Sequence, residues 1–225
     1  MTANRTKIRS PRNRGRENRQ LTFEQRMAAG VALRQKVPRS SHAEWNAPTN
    51  RSDPISVLQH SDSGRLQELL PIRYGRMKQS PFGFYRGAAA VMACDLVQTP
   101  ATGIRVQACG DSHAANFGGF ASPERQLIFD INDFDETLPA PWEWDVKRLA
   151  ASIVLGLREI GLGEGRCKHA VYKMAQSYRE QMHRHARMRP LDVWYSRVNA
   201  DEFVKEAETS ATKKRLEQVE AEAHK

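Results

Sequence analysis

A run of short polar residues separates two apolar segments of this 225-residue chain. Residues 109–120 read CGDSHAANFGGF and contain Asp111, His113 and Asn116. An alternating apolar and polar run at 104–108 precedes them, and the apolar run LIFDIN at 127–132 follows them. Short polar side chains between two predicted strands are typical of a tight turn, and equally of an active-site loop.

Three further carboxylates lie on or just after the second predicted strand, 127–131: Asp130, Asp133 and Asp135. If the two strands are antiparallel neighbours, the loop and these carboxylates meet at one edge. Clustered carboxylates repel one another unless a hard cation or a basic neighbour is present. Mg²⁺ takes one or two carboxylates together with water and phosphate oxygens, whereas zinc requires more His and Cys ligands. The residue types therefore favour phosphoryl transfer.

The motif GDSHAANFG followed by LIFDINDFDET resembles the catalytic segments of the protein-kinase-like superfamily, particularly aminoglycoside phosphotransferases and choline kinases. The resemblance implies that Asp111 positions the acceptor hydroxyl and accepts its proton, and that Asn116 and Asp133 bind Mg²⁺ with ATP as the phosphoryl donor. Downstream, PWEWDVKRLAAS resembles the start of the next helix in those enzymes. That match implies that Asp145 braces the catalytic loop.

Each of these residues also has a plain structural interpretation. Asp111 could be a turn or cap residue, and Asn116 could belong to a tight turn with the glycines that follow it. Asp145 could be a helix N-cap, which is compatible with bracing the loop. His113, Asp130 and Asp135 are expected to support the site or to be solvated, rather than to bind metal.

Four motifs also resemble a bacterial family known as domain of unknown function 2252. They are MKQSPFGFYRGAA, GDSHAANFG, FDINDFDE and PWEWDVKRLAAS, and the resemblance extends from about Leu21 onward. Family members are typically about twice this length and have no settled activity. The resemblance implies that residues 21–225 are the N-terminal half of the family domain, a partial kinase-like domain truncated at its C-terminus.

Neither a Gly-rich GxGxxG loop nor a Lys-bearing strand of the V-A-I-K type occurs in the sequence. In kinase-like enzymes these elements cover and bind the nucleotide phosphates. Lys78 and Arg86 could contact phosphate instead, or they could pair with the carboxylates. Lys147 and Arg148 near the start of a predicted helix oppose the helix dipole, which a nearby carboxylate or phosphate would explain, or they lie on a solvated face.

The remaining patterns predict mostly helices. Residues 21–38 have capping-box spacing between Thr22 and Gln25, and Asp53 with Pro54 predicts a second helix start. Further helices are predicted at about 84–97, 145–160 with Gly161 as a stop, 165–187 and 200–223, and a Pro-rich turn at LPAPWEW. We expect an α+β fold, mostly helical, which resembles the C-terminal lobe of a kinase-like fold with a small β-hairpin carrying the site.

The net charge of +9 is concentrated in residues 1–40, which contain eleven Arg and Lys residues but two acidic residues. Residues 1–20 contain almost no apolar residue and are predicted to be a disordered basic arm. This segment could make weak contact with nucleic acid or another anion, or have no specific partner. Three cysteines without a CxxC pair, no secretory signal and no apolar run of membrane-spanning length predict a cytoplasmic protein.

Three functions remain open at this point. The first is a Mg²⁺- and ATP-dependent phosphotransferase whose hydroxyl acceptor, a small molecule or a protein, is unknown. The second is a catalytically incomplete or non-enzymatic binding module, favoured by the missing Gly-rich loop. The third is a metal-dependent phosphoesterase, because GDSH contains the D-x-H of metallophosphatases, although the GNH segment of that class is absent.

Overall fold

The computed structural model of the protein describes residues 21–199 and Lys214. In this part of the chain the fold is α+β and mostly helical, as predicted. The helices are α1 (Phe23–Lys36), α2 (Pro54–Ser61), α3 (Leu70–Met77), α4 (Pro81–Arg86), α5 (Ala89–Leu96), α6 (Glu143–Glu159), α7 (Glu164–His185) and α8 (Pro190–Trp194). The strands are β1 (Arg105–Ala108), β2 (Phe117–Ala121), β3 (Leu127–Ile131), β4 (Leu138–Pro141) and β5 (Val198–Asn199).

Short 3₁₀ turns lie at Arg39–Ala43, Asp62–Gly64, Gln67–Leu69 and Ala114–Asn116. The predicted basic arm, 1–20, lies outside the described residues. So does the predicted helix at 200–223, apart from Lys214, which is helical. Among the helices that the structure describes, none combines the length and the apolar character that a bilayer-spanning segment needs.

Local capping chemistry sets the first two helix starts, and both predictions are confirmed. The Thr22 hydroxyl accepts a hydrogen bond from the Gln25 backbone N–H (3.2 Å), and the Gln25 amide oxygen accepts one from the Thr22 N–H (2.9 Å). The Asp53 carboxylate caps α2 by accepting from the Ser56 N–H at 2.8 Å, with Pro54 at the first helical position. These side chains satisfy N–H groups that a helix start leaves unpaired.

The single helix predicted at 84–97 is wrong, because the segment forms two helices, α4 and α5, separated at Gly87–Ala88. A Cβ at Gly87 would lie 2.5 Å from the Met77 Sδ, so the break packs directly against α3. The Arg73 guanidinium donates to the Gly87 carbonyl at 2.6 Å, which satisfies the acceptor that the break exposes. Tertiary packing therefore overrides a continuous helical pattern here.

The two predicted strands are not neighbours, so the condition under which they would bring the loop and the carboxylates to one edge is not met. β1 pairs with β4 in an antiparallel two-stranded sheet, and the central strand of a separate sheet, β3, pairs with β2 and β5. The Pro-rich segment that forms β4 was predicted to be a turn. Since Pro lacks an N–H, a strand with two prolines suits the edge of a two-stranded sheet, where half of the backbone groups need no partner.

The core is small, and α6 carries an unusual polar face into it. Leu58, Met77, Ala88 and Val91 form the main apolar cluster, between α2, α3 and α5. The helix predicted at about 145–160 is present as α6, but its buried residues are the polar Glu143, Arg148 and Ser152, and Ile160 is 71% exposed. Gly161 follows the helix with φ +79°, which confirms it as the stop. The buried polar face of α6 is the side that meets the loop at 109–116.

Candidate functional site

The start of the polar loop is anchored by α6. Asp145, in the first turn of that helix, accepts hydrogen bonds from the Cys109 N–H (2.8 Å) and the Gly110 N–H (3.1 Å). Gly110 has φ +80°, and a Cβ there would overlap the carbonyl oxygen of Glu136. The glycine therefore allows both a left-handed backbone and a close approach between the loop and the segment after β3.

Asn116 joins the loop to the carboxylate segment. Its buried side-chain amide donates to the Asp111 carbonyl (3.2 Å) and to the Asp133 carbonyl (3.0 Å). The Asn116 carbonyl in turn accepts from the Asn132 N–H at 2.9 Å. The two segments meet through this residue, although β1 and β3 are not neighbours. Since both amide protons are used, the side-chain oxygen Oδ1 remains as the acceptor of that group.

The Asp111 carboxylate forms an ion pair with Arg148 of α6. The Nε of Arg148 donates to Asp111 Oδ1 at 2.7 Å, and Nη2 donates to the same oxygen. Arg148 is 2% exposed, whereas the Asp111 side chain is 22% exposed. The pair therefore has a buried cation and a carboxylate that reaches the surface of a groove. A basic residue near this helix start was expected to have a nearby carboxylate or phosphate, or else to lie on a solvated face. Arg148 has the nearby carboxylate.

Tyr85 completes the surroundings of the buried guanidinium. The Tyr85 carbonyl accepts from Arg148 Nη2 at 3.0 Å, and the guanidinium carbon lies 4.6 Å from the centre of the Tyr85 ring. The phenol donates to the Arg148 carbonyl at 2.9 Å, and burial raises the pKa of Tyr85 to about 12. A neutral phenol and a cation–π contact thus hold Arg148 in one orientation. Sequence reasoning assigned no role to Tyr85, because nothing in the local pattern links it to residue 148.

Lys147 differs from its neighbour. Its ammonium group donates to the Thr99 hydroxyl at 2.9 Å instead of contacting the loop. Desolvation lowers the pKa of Lys147, and Glu143 opposes that shift. The two basic residues near the start of α6 therefore point to different surroundings, and Arg148 is the one that serves the candidate site.

His113 lies beside the ion pair. It is buried, and its Nε2 lies 3.6 Å from Asp111 Oδ2. Its Nδ1 is buried without a hydrogen-bond partner among the described residues. Burial lowers the pKa of His113; the Asp111 carboxylate opposes this, while Arg148 and Arg86 add to it. Burial therefore favours the neutral imidazole.

A groove of about 1250 Å³ passes in front of these groups. Its lining includes the acidic residues of the loop and of the segment after β3, namely Asp111, Asp133, Asp135 and Glu136. It also includes arginines of the segment from 65 to 86, namely Arg65, Arg73, Arg76 and Arg86. A groove lined by both carboxylates and guanidinium groups suits a metal-bound phosphate ligand.

The four arginines differ in their engagement. Arg65 forms an ion pair with Glu136 at 2.8 Å, and Arg73 donates to the Gly87 carbonyl. Arg76 and Arg86 are exposed and have no carboxylate within ion-pair distance in the described part of the chain. These two are available to a ligand in the groove.

The other predicted residues divide between the groove and the surface. Asp135 lines the groove, and its N–H donates to Asp133 Oδ1 at 3.0 Å. Asp130 is exposed on β3 opposite Gly118, and its Oδ1 accepts from the Ile131 N–H at 2.8 Å. Neither Asp130 nor Lys78 is among the residues that line the groove, and Lys78 is exposed. Arg76 and Arg86 are the basic residues of this segment that reach the groove unpaired.

The donor set fits Mg²⁺ better than a metal held by protein alone. Within 21–199 and at Lys214, no three His, Cys, Asp or Glu side chains are grouped to hold a metal ion. Two oxygens have no hydrogen bond of their own among the described residues: Asn116 Oδ1, because the Asn116 contacts use its amide nitrogen, and Asp133 Oδ2, because the Asp135 N–H donates to Oδ1. Two oxygen ligands completed by phosphate and water form a coordination sphere that Mg²⁺ commonly accepts.

Comparison with protein families places most of the chain in a family. The family model described as "Uncharacterized protein conserved in bacteria (DUF2252)" matches residues 65–225. The family resemblance was expected from about Leu21 onward, with the chain as the N-terminal half of the domain; the match instead covers the C-terminal part of the chain. It includes the loop, the carboxylates and α6. Comparison with curated proteins and with solved structures finds no significant match.

Proposed function

The chain belongs to the DUF2252 family of uncharacterized proteins conserved in bacteria, and we propose that it is a kinase-like, Mg²⁺-dependent phosphotransferase that acts on a hydroxyl acceptor. One observation carries the proposal: Asp111 and Asp133 line the same groove as Arg76 and Arg86. Phosphoryl transfer needs little covalent chemistry from the protein. It needs positioned charges of both signs around the phosphate groups.

Asn116 and Asp133 are the residues that would hold Mg²⁺. The two are tied together, since the Asn116 amide donates to the Asp133 carbonyl at 3.0 Å. Mg²⁺ held there would supply positive charge against the charge that develops on the transferred phosphate group. Asn116 is buried beside the groove and is not among its lining residues. The protein would contribute by fixing the Asn116 side chain through its two backbone acceptors, the carbonyls of Asp111 and Asp133.

Asp111 is the group that would orient the acceptor hydroxyl. Arg148 donates both of its hydrogen bonds to Asp111 to the same oxygen, Oδ1, which leaves Oδ2 as the oxygen that can accept from a substrate. The buried guanidinium and Tyr85 fix the carboxylate in one rotamer. A fixed acceptor at the groove surface contributes by orientation, which is a large part of the rate enhancement in such reactions.

Arg76 and Arg86 would bind the phosphates of the donor. The sequence lacks a Gly-rich loop and the Lys-bearing strand that usually do so. A guanidinium group can bind two phosphate oxygens through two parallel hydrogen bonds, and it supplies positive charge to the phosphates as that Lys would. Arg86 belongs to the SPFGFYRG segment, directly after the Tyr85 that holds Arg148, so donor binding and the Asp111 ion pair are linked through neighbouring residues.

The test is transfer of phosphate from γ-labelled ATP to components of a bacterial extract in the presence of Mg²⁺. We expect Asp111→Asn and Asp133→Asn to lose about 10²-fold or more of the activity, in the range found for positioned acid–base and electrostatic groups. Asp130→Asn is the matched control, because Asp130 lies nearby on β3 but outside the groove. If all three variants transfer phosphate equally well, the assignment of the groove is wrong.

A non-enzymatic binding module is the second candidate, favoured by the Arg148 ion pair that neutralises Asp111. Such a module would bind ATP with Mg²⁺ but transfer no phosphate to any acceptor. In that case Asp133→Asn abolishes binding while Asp111→Asn leaves it intact. Both candidates predict these binding results, so the transfer assay separates them: the phosphotransferase labels an acceptor, whereas the binding module labels none.

A further inference from the structure

A second concave surface lies away from the groove, on the C-terminal half of α7. It has a volume of about 700 Å³ and is lined by Arg39, Arg179, Glu180, His183, Arg184 and Arg187. We call it the α7 basic pocket. None of its lining residues lines the groove that holds Asp111.

Its charges are poorly compensated. The pocket contains four arginines and one carboxylate, and that carboxylate, Glu180, accepts a hydrogen bond from the Gln176 amide at 2.9 Å. No described carboxylate lies within 4.0 Å of the guanidinium groups of its arginines. Like charges brought together repel, and a bound anion removes that cost.

The helix dipole explains only part of the cluster. Cations in the last turn of a helix interact favourably with its C-terminus, which accounts for His183 and Arg184. The effect fades beyond that turn, yet Arg179 lies further back along α7, and Arg39 comes from a separate 3₁₀ turn. The convergence of two elements on one concave surface therefore needs another reason.

The first helix holds the pocket in place. The Arg187 guanidinium lies 5.7 Å from the centre of the Phe23 ring, and Arg26 donates to the Ala186 carbonyl at 3.2 Å and to the Leu21 carbonyl at 2.9 Å. Residue 21 thus lies near the pocket. In sequence it is preceded by seven Arg and Lys residues and one acidic residue within residues 1–20. Positive charge therefore continues along the chain from the pocket.

We propose that the α7 basic pocket binds the phosphate backbone of nucleic acid without sequence preference. Arginine forks match phosphate oxygens, and the adjoining basic sequence suits a polymer of phosphates better than a single one. The lining contains no Phe, Tyr or Trp, the broad aromatic faces on which successive bases stack, so contacts to phosphate dominate there. It also contains no apolar side chain that could enter a lipid surface.

The test is the salt dependence of binding to a fluorescein-labelled 20-nucleotide oligothymidine, measured by anisotropy with the full chain. Each phosphate contact on a single strand contributes roughly −0.7 to the slope of log K against log salt. Arg179→Gln/Arg184→Gln is therefore expected to reduce the magnitude of the slope by about 1.4 and to weaken binding roughly 25-fold at 0.1 M salt. Arg39→Gln alone is expected to reduce it by about 0.7.

The matched control is Arg166→Gln/Lys168→Gln, which removes the same charge from the other end of α7. Residues 166 and 179 are thirteen apart, or roughly 20 Å along the helix, about twice the screening length at 0.1 M salt. We expect this control to keep the wild-type slope and affinity. Asp133→Asn is also expected to bind the oligonucleotide normally, because the pocket is independent of the groove.

Three results would overturn the proposal. In the first, the pocket variants and the control have equal slopes. In the second, tripolyphosphate displaces the oligonucleotide at the same total phosphate concentration, which indicates a site for one small anion. In the third, the chain binds phosphatidylserine vesicles through these arginines but does not bind the oligonucleotide. Circular dichroism checks that each variant is folded, and the single Arg39→Gln change gives an independent result if the double variant is not.

Discussion

Replacing Asp111 with Ala is expected to destabilise the protein more than most loop substitutions. The change leaves the Arg148 guanidinium, which is 2% exposed, without its counter-charge. Removing one partner of a buried ion pair costs about 3–5 kcal/mol. Because the Asp111 side chain is 22% exposed, water from the groove can reach the vacated position, and we expect the low end, about 3 kcal/mol.

For a chain of this size, about 3 kcal/mol corresponds to a Tm decrease of roughly 6–12 °C. Differential scanning calorimetry measures it directly. The decisive comparison adds Arg148→Met in both backgrounds. In the wild type this change removes a hydrogen-bonded cation and destabilises the fold. In Asp111→Ala it removes an uncompensated buried charge, so it is expected to cost little or to restore stability. The reasoning is refuted if Asp111→Ala melts within 2 °C of the wild type, taken as roughly 1 kcal/mol or less, or if Arg148→Met costs the same in both backgrounds.

Three further predictions concern the loop. Gly110→Ala is expected to lower the free energy of unfolding in urea by about 3 kcal/mol or more, because it combines a positive φ with a clash against the Glu136 carbonyl. Gly161→Ala is the control, since Gly161 has a similar φ and nothing within 4 Å, and about 1 kcal/mol is expected for it. Equal losses in the two variants would contradict the clash. Asp145→Ala leaves the Cys109 and Gly110 N–H groups without an acceptor, which is expected to lower the free energy of unfolding by about 1–3 kcal/mol for each. Asp145→Asn retains one acceptor oxygen and is expected to lose less in the same measurement. Burial lowers the pKa of His113, so the unfolded chain takes up a proton near pH 6.5 before the folded chain does. The Tm is therefore expected to fall as the pH drops below about 6.5, and to fall less in His113→Gln. A pH profile of Tm in His113→Gln that matches the wild type would contradict this.

Local sequence signals predicted the elements whose ends depend on neighbouring residues. Thr22 with Gln25, Asp53 with Pro54, and Gly161 each determine a helix end through contacts within a few residues, and all three are observed. Strand pairing was not predictable in the same way, because it depends on residues about 30 positions apart. β1 pairs with a Pro-rich segment that has the composition of a turn.

The helix break at Gly87 has the same physical origin. The sequence from 84 to 97 is helical in pattern, yet Gly87 packs against Met77 and its carbonyl is taken by Arg73. Both partners lie on α3, at least ten residues earlier. Packing of this kind outweighs the small propensity differences on which a sequence-based prediction depends.

For the candidate site, the sequence indicated the loop and the carboxylate segment but not how they meet. Asn116 connects them through two backbone carbonyls, and backbone acceptors leave no mark in a sequence. The position of Arg148 against the helix dipole was the one signal that a carboxylate lay nearby. Which carboxylate it was depended on the fold, because Asp111 is 37 residues away.

The most direct test of the central claim is calorimetric titration of the chain with ATP in the presence of Mg²⁺. The groove is expected to bind ATP when Mg²⁺ is present and to lose it when EDTA is added. Binding is also expected to be lost in Asp133→Asn and retained in Asp130→Asn, which removes the same charge outside the groove. No binding under any condition, or equal binding in the two variants, would contradict a metal-dependent phosphate site at Asp133.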